Sequence, residues 1–244
     1  MAAAAERSVS NSGFVSTDPE PCGLQFEQVE KRYGGVYALR NVTLSVAAGE
    51  CVAITGRNGS GKTTLLRVAS QLVRPSRGVV TYSGVALAQK PRIGFVAHAT
   101  MVYDELTAEE NLLFFAKLQS VAAPKERVSQ LLIDVGLEDR KGSLVRTFSR
   151  GMRQRVAIAR ALLAQPSLLL FDEPGTGLDT ESSAWLTGQL SKLRDAGCTI
   201  LMSLHGDSET ARLATRGLRL DAGNVVADTR RGATFQSILV FAGG

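Results

Sequence analysis

The chain has 244 residues, 44% of them hydrophobic and 21% charged, which suits one large globular domain and excludes a chain disordered throughout. Its longest apolar runs, such as 167–171 and 238–242, fall far short of the roughly 20 residues that a membrane helix needs, so no span is predicted. Three distant cysteines (Cys22, Cys51, Cys198) make neither a metal-spaced pair nor an even disulfide set, which predicts a reducing, cytosolic setting, while the net charge of +5 leaves anionic partners open.

Residues 1–22 are rich in Ser, Pro and small side chains, carry Glu6 early and have no apolar core of signal-peptide length, so they read as a flexible tail ahead of one domain over 23–244. Residues 24–30 (LQFEQVE) and 42–46 alternate apolar and polar, and 50–55 is a short apolar run ending at a glycine; all three read as strands. A helix follows over about 61–71, closed by Arg74-Pro75, and 78–82 and 92–96 are again strand-like. From 107 to 135 the spacing turns helical and the composition acidic: Thr107 with Glu110 makes a capping box, and Pro124 opens a second helix at its first position. Ser149 then opens a helix to 164, 167–171 is a buried strand, 180–196 a helix and 198–203 a strand, followed by a short helix and two terminal strands. Strands alternating with helices predict an α/β fold on a mostly parallel, doubly wound sheet.

Charge is segregated along this order. Residues 51–103 carry seven basic and no acidic side chains, 104–139 eight acidic and three basic, and 140–160 seven basic and again no acidic ones. Both basic blocks contain a phosphate-binding pattern, so a nucleotide explains them more economically than nucleic acid or an anionic membrane. In the first, residues 56–63 (GRNGSGKT) form G-x-x-x-x-G-K-T between an apolar strand and a helix, the context that a phosphate-binding P-loop requires. Its glycines let successive N–H groups turn inward and the helix start adds positive charge, with Lys62 reaching the β and γ phosphates and the Thr63 hydroxyl binding Mg²⁺. Residues 168–174 (LLLFDEP) form an apolar strand that ends in Asp172 and Glu173. Such a strand end faces the ligand crevice of a parallel sheet, so beside a P-loop Asp172 is expected to hold Mg²⁺ and Glu173 to orient the attacking water as general base; alone, the pair would equally suit an ordinary strand exit.

Residues 148–155 (FSRGMRQR) follow the helical insert and precede that strand by one helix. They resemble the LSGGQ-x-QR signature of ATP-binding cassette (ABC) proteins, with Phe148, Arg150 and Met152 departing from it and Ser149, Gly151, Gln154 and Arg155 keeping to it. The resemblance covers about 24–229. It implies a P-loop NTPase (RecA-like) core with a β-rich nucleotide-binding subdomain and a helical subdomain at about 99–160. It also implies that Gly56, Asn58, Gly59, Ser60, Gly61, Lys62, Thr63 and Thr64 bind ATP, that Tyr33 stacks on adenine, and that His205 is a catalytic residue at the γ-phosphate. Gly177-Leu178-Asp179 matches the loop that crosses the dimer interface. A strand-edge tyrosine and a plain acid at a helix start are the alternatives for Tyr33 and Asp179. His98 stands where most relatives place Gln at the nucleotide site, and a neutral imidazole can both donate and accept there; packing in the hinge is the alternative.

Ser149 and Gly151 lie across the nucleotide from the P-loop in this family, so the resemblance implies two copies of the chain head to tail, with two ATP molecules between them. It also implies integral membrane permease subunits docked near 98–115, at the cytoplasmic face of the inner membrane. His98, residues 103–112 (YDELTAEENL) and the Ser-Arg-Gly-Met signature are most similar to the ATPase of the haem exporter of cytochrome c maturation. ATPases of drug, antibiotic and polysaccharide exporters share Ser-x-Gly-Met and are the nearest alternative. Soluble cassettes that act on DNA or ribosomes are another, though they typically carry two cassettes, a long coiled coil or zinc-binding cysteines. No nucleic-acid partner is expected. Direct haem binding is not expected either, because both histidines are assigned to the nucleotide site and no Cys-Pro or Cys-x-x-Cys-His element occurs.

Overall fold

The computed structural model describes residues 22–84, 91–204, 209–231 and Ile238. Strands β1 (Gly23–Tyr33) and β2 (Val36–Val46) form a hairpin through Gly34 and Gly35, whose φ values of 52° and 88° are those of the primed turns that suit strand twist. β4 (Arg77–Ser83) pairs with the other edge of β1, giving a three-stranded antiparallel sheet in the order β2-β1-β4. The hairpin is longer than alternation alone predicted, because β1 carries bulges around Val29 and both Gln28 and Asn41 adopt positive φ, which resets the two-residue period partway along each strand.

A separate six-stranded sheet has the order β5-β6-β7-β3-β8-β9, comprising β3 (Cys51–Thr55), β5 (Ile93–Val96), β6 (Leu168–Asp172), β7 (Thr199–Ser203), β8 (Arg216–Asp221) and β9 (Asn224–Asp228). The first five run parallel and β9 returns antiparallel on β8. Every residue of β3, β6 and β7 is buried, as expected for central strands covered on both faces. Alternate side chains build two cores. Ala53, Leu169, Phe171, Ile200 and Met202 pack toward the helices α4 (Arg150–Leu162) and α5 (Thr180–Asp195). Val52, Ile54, Leu168, Leu170 and Leu201 face α1 (Lys62–Ala69) and the antiparallel sheet. Cys22, Cys51 and Cys198 are all buried and free; Cys22, the last residue of the expected tail, belongs to the second core.

α2 (Ala108–Leu118) starts with the expected Thr107–Glu110 capping box, and α3 (Pro124–Asp134) has Pro124 at its first turn. The loop between β5 and α2 is tied from beneath. The guanidinium of Arg160, on α4, donates to the Phe95 carbonyl at 3.2 Å and the Met101 carbonyl at 2.6 Å. The Asn111 side chain, fully buried on α2, accepts from the Tyr103 N–H at 2.8 Å and donates to the Tyr103 carbonyl at 3.0 Å. These bonds fix a loop that has little core of its own, and His98 lies on it. Parallel pairing places the carboxyl ends of β5, β6, β7 and β3 on one edge of the sheet, and the site forms there.

Candidate nucleotide-binding site

β3 runs straight into the 56–63 loop. A side chain at Gly56 (φ 144°) would place its first carbon 2.3 Å from the Leu220 carbonyl oxygen, and at Gly61 (φ 110°) 2.5 Å from that of Ala38, so only glycine lets the loop pass these two points. Between them Arg57, Asn58 and Gly59 are exposed. Lys62 opens α1, is 5% exposed, and donates from Nζ to the carbonyls of Gly56 at 2.8 Å and Arg57 at 3.3 Å. No carboxylate pairs with it among the described residues. The Ser60 hydroxyl is buried and has no hydrogen-bond partner among the described residues. A positive helix start, an ammonium without a counter-charge and an orphaned hydroxyl around a bare-backbone cradle together fit a polyphosphate.

The strand ends complete the cluster. Asp172 Oδ1 accepts from the Thr63 hydroxyl at 3.0 Å and from the Ser203 hydroxyl at 2.8 Å. Hydroxyl and carboxylate oxygens are the hard donors that Mg²⁺ takes, so Thr63 and Asp172 fit that ion. Glu173, in the left-handed region at φ 54°, sends its carboxylate into a cavity of about 410 Å³ lined by His98, Phe148, Arg150, Gln154 and Thr176. Its Oε2 lies 3.6 Å from His98 Nδ1. The imidazole, 54% exposed, therefore lies beside the second acid rather than packed inside the hinge.

Ser149 caps α4, its hydroxyl accepting the Met152 N–H at 3.2 Å. Gly151 lies against the start of α5, where an added side-chain carbon would lie 2.3 Å from the Ser182 hydroxyl. The Arg150 guanidinium lies against Gly177 (φ 69°), 2.8 Å from where a side-chain carbon would stand. Asp179 caps α5 by accepting the Ser182 N–H at 2.8 Å. Tyr33 ends β1, 48% exposed, with Lys31 Nζ 5.1 Å from its ring centre, and Thr64 is half-buried on α1. His205 lies outside the described residues. Among the described residues no hydrogen bond or ion pair joins the start of α4 to the 56–63 loop.

The sequence pattern of the ABC transporter family matches residues 39–176, which hold the P-loop, the start of α4 and the Asp172-Glu173 strand end. The chain belongs to the ABC transporter family. The ABC transporter ATP-binding protein NatA of Bacillus subtilis is 39% identical to it over 213 residues, 84% of this chain and 85% of that protein. The Nod factor export ATP-binding protein I of Cupriavidus metallidurans is 36% identical, covering 84% and 70% of the two chains, and the daunorubicin resistance ATP-binding protein DrrA3 of Streptomyces coeruleorubidus 37%, covering 84% and 67%. Among solved structures, the dimeric ATP-binding cassette MJ0796 with bound ADP and Pi superimposes with a TM-score of 0.75 at 30% identity, over 84% of this chain and 97% of that one.

This ABC protein is therefore an ATP-hydrolysing transporter subunit with the cassette fold. The finer expectation of haem export finds no support in these relatives, two of which are named for Nod factor export and daunorubicin resistance. The Ser-x-Gly-Met signature is common to several exporter classes, so it could not separate them. Sequence reasoning also passed over Ser203. Its only signal was a hydroxyl at the apolar carboxyl end of β7, two residues before His205.

Proposed function

We propose that this chain, over 23–244 with its helical subdomain at about 99–160, powers an exporter for a drug, antibiotic or polysaccharide from the cytoplasmic face of the inner membrane. The similarity to drug-resistance and Nod factor export subunits supports this cargo class over haem. Among the described residues no helix is long and apolar enough to cross a membrane, so separate permease subunits would form the pathway.

The observation that carries the reading is the convergence of the P-loop, Asp172 and Glu173 at one sheet edge. Backbone N–H groups from Gly56 to Thr64, with Asn58 and the Ser60 hydroxyl, would hold the phosphates, Lys62 would leave its two carbonyls for the β and γ phosphates, and Tyr33 would stack on adenine. Mg²⁺, when bound between Thr63 and Asp172, would offset phosphate charge. Glu173 would take the proton of the water whose oxygen attacks the γ-phosphorus, as the bond to the ADP oxygen breaks. His98 would orient that carboxylate, and His205 would contact the γ-phosphate.

Because among the described residues no hydrogen bond or ion pair joins the start of α4 to the P-loop, Ser149 and Gly151 would complete the site of a second copy, with Asp179 crossing between them. ATP would then close the pair and hydrolysis release it. Glu173→Gln should keep nucleotide binding and lose turnover by about 10²–10⁴-fold, as expected on removing a general base. Lys62→Ala should weaken binding itself. Undiminished hydrolysis by purified Glu173→Gln would overturn the base assignment. Deleting the gene should change drug tolerance or surface polysaccharide and leave covalently attached haem intact; the reverse result would restore haem as cargo.

A further inference from the structure

We infer that Ser203 is a positioning residue for ATP hydrolysis, setting the orientation of Asp172 and the backbone of Glu173 through a single hydroxyl. The inference rests on the reading of Asp172 as cation holder and Glu173 as base. Ser203 ends β7 with no exposed surface, between Met202 and Leu204, which are also buried. A hydroxyl there is unfavourable unless both its donor and its acceptor capacity are used. They are: the O–H donates to Asp172 Oδ1 at 2.8 Å, and the oxygen accepts the Glu173 N–H at 2.9 Å.

Two consequences follow from this geometry. Asp172 Oδ1 holds two donors, Ser203 and Thr63, from opposite elements, which fixes the rotation of the carboxylate. Its Oδ2 has no hydrogen-bond partner among the described residues and remains for a divalent cation. The last paired residues of β6 and β7 are Asp172 and Ser203, so the bond to the Glu173 N–H extends the ladder by one step beyond its backbone. That step holds Glu173 at φ 54°, a conformation that a non-glycine residue keeps only when its surroundings impose it, and from there the carboxylate faces the cavity beside His98. One side chain thus links the cation-binding acid to the base.

The test uses the full chain with Ser203→Ala, the near-isosteric but weakly hydrogen-bonding Ser203→Cys, and Ser203→Thr, which keeps the hydroxyl. Steady-state hydrolysis gives kcat and KM. In a Glu173→Gln background, where turnover is too slow to consume the nucleotide during the measurement, binding of a fluorescent ATP analogue with Mg²⁺ and with EDTA gives the gain in affinity due to the metal. Orientation by an outer residue predicts that Ala and Cys lower kcat on the order of 10- to 100-fold and reduce the Mg²⁺-dependent gain, while KM and the affinity in EDTA stay within about twofold. Ser203→Thr should restore most of kcat. The inference is overturned if Ser203→Ala, shown by its melting curve to be folded, keeps kcat and the Mg²⁺ gain within about twofold of the parent. It is equally overturned if kcat and EDTA affinity fall together in both Ala and Cys, which marks a packing role. A parent chain without any Mg²⁺ gain overturns the Asp172 assignment and this inference together, whereas a normal parent with an unaffected Ser203→Ala overturns this inference alone.

Discussion

At the residue scale, Asp179 shows how a side chain expected at an interface already has a local task. The Ser182 backbone N–H, the Ser182 hydroxyl and the charge of Arg155 hold its carboxyl below the ordinary 3.8. A depressed folded-state value contributes stability that is complete above the unfolded value and is lost as pH falls through the folded one. Thermal melts should therefore separate wild type from Asp179→Asn near neutral pH, and the difference should shrink as pH drops below about 3.8, since asparagine still caps but carries no charge. A difference that stays constant down the acid range would exclude the charged cap as its source. Capping at Thr107 and Ser149 was legible from residue type, because these bonds reach only three residues along the chain. Ser203 was not legible, because its partners lie about thirty residues away on a neighbouring strand.

At the element scale, the starts of α4 and α5 meet at Gly151 and Ser182. Gly151→Ala should cost about 1–3 kcal/mol by forcing a carbon into space that the Ser182 side chain occupies. Ser182→Gly alone should also destabilise, through lost helix propensity. Combined, the two should cost less than their sum, which a double-mutant cycle on chemical unfolding would show; strict additivity would mean that the helices do not meet there. The remaining elements were legible to differing degrees. Runs such as β6 and β7 announce themselves by unbroken apolar residues, and α2 by its capping box. The first half of β2 was missed because Asn41 and the bulged partner strand break the alternation that marks a strand.

At the scale of the whole molecule, one buried ion network joins the two sheets. Arg216 on β8 forms a bidentate pair with Asp228 on β9 at 2.8 and 2.7 Å, donates to the Ser45 carbonyl of β2 at 2.7 Å, and meets Glu50 at 3.4 Å. Both Arg216 and Asp228 side chains are only 4% exposed. Asp228→Ala should cost about 3–5 kcal/mol by leaving the guanidinium buried without its main partner, whereas Asp195→Ala, which removes the exposed acid paired with Arg194, should come at little cost. Equal small losses for the two would show that solvent reaches Arg216. Assembly is the other property at this scale. Glu173→Gln should run as a dimer with ATP and as a monomer without it, and Ser149→Arg should abolish the dimer by setting bulk and charge against the facing nucleotide. Light scattering that shows no effect of nucleotide on mass would remove the trans role of Ser149.

The sequence by itself determined the family, the P-loop, the strand-end acids and the helix caps, because each is written in contiguous residues whose physics is local. Tertiary structure decided what lies between them: the division of the strands into two sheets, the placing of His98 beside Glu173, and the Ser203 hydroxyl beneath both acids. These depend on strand order and register, in which segments far apart in the chain are brought within hydrogen-bonding distance by burial of two cores on opposite faces of one sheet. Local spacing carries no record of that order, since the same apolar strands would satisfy their burial in more than one arrangement.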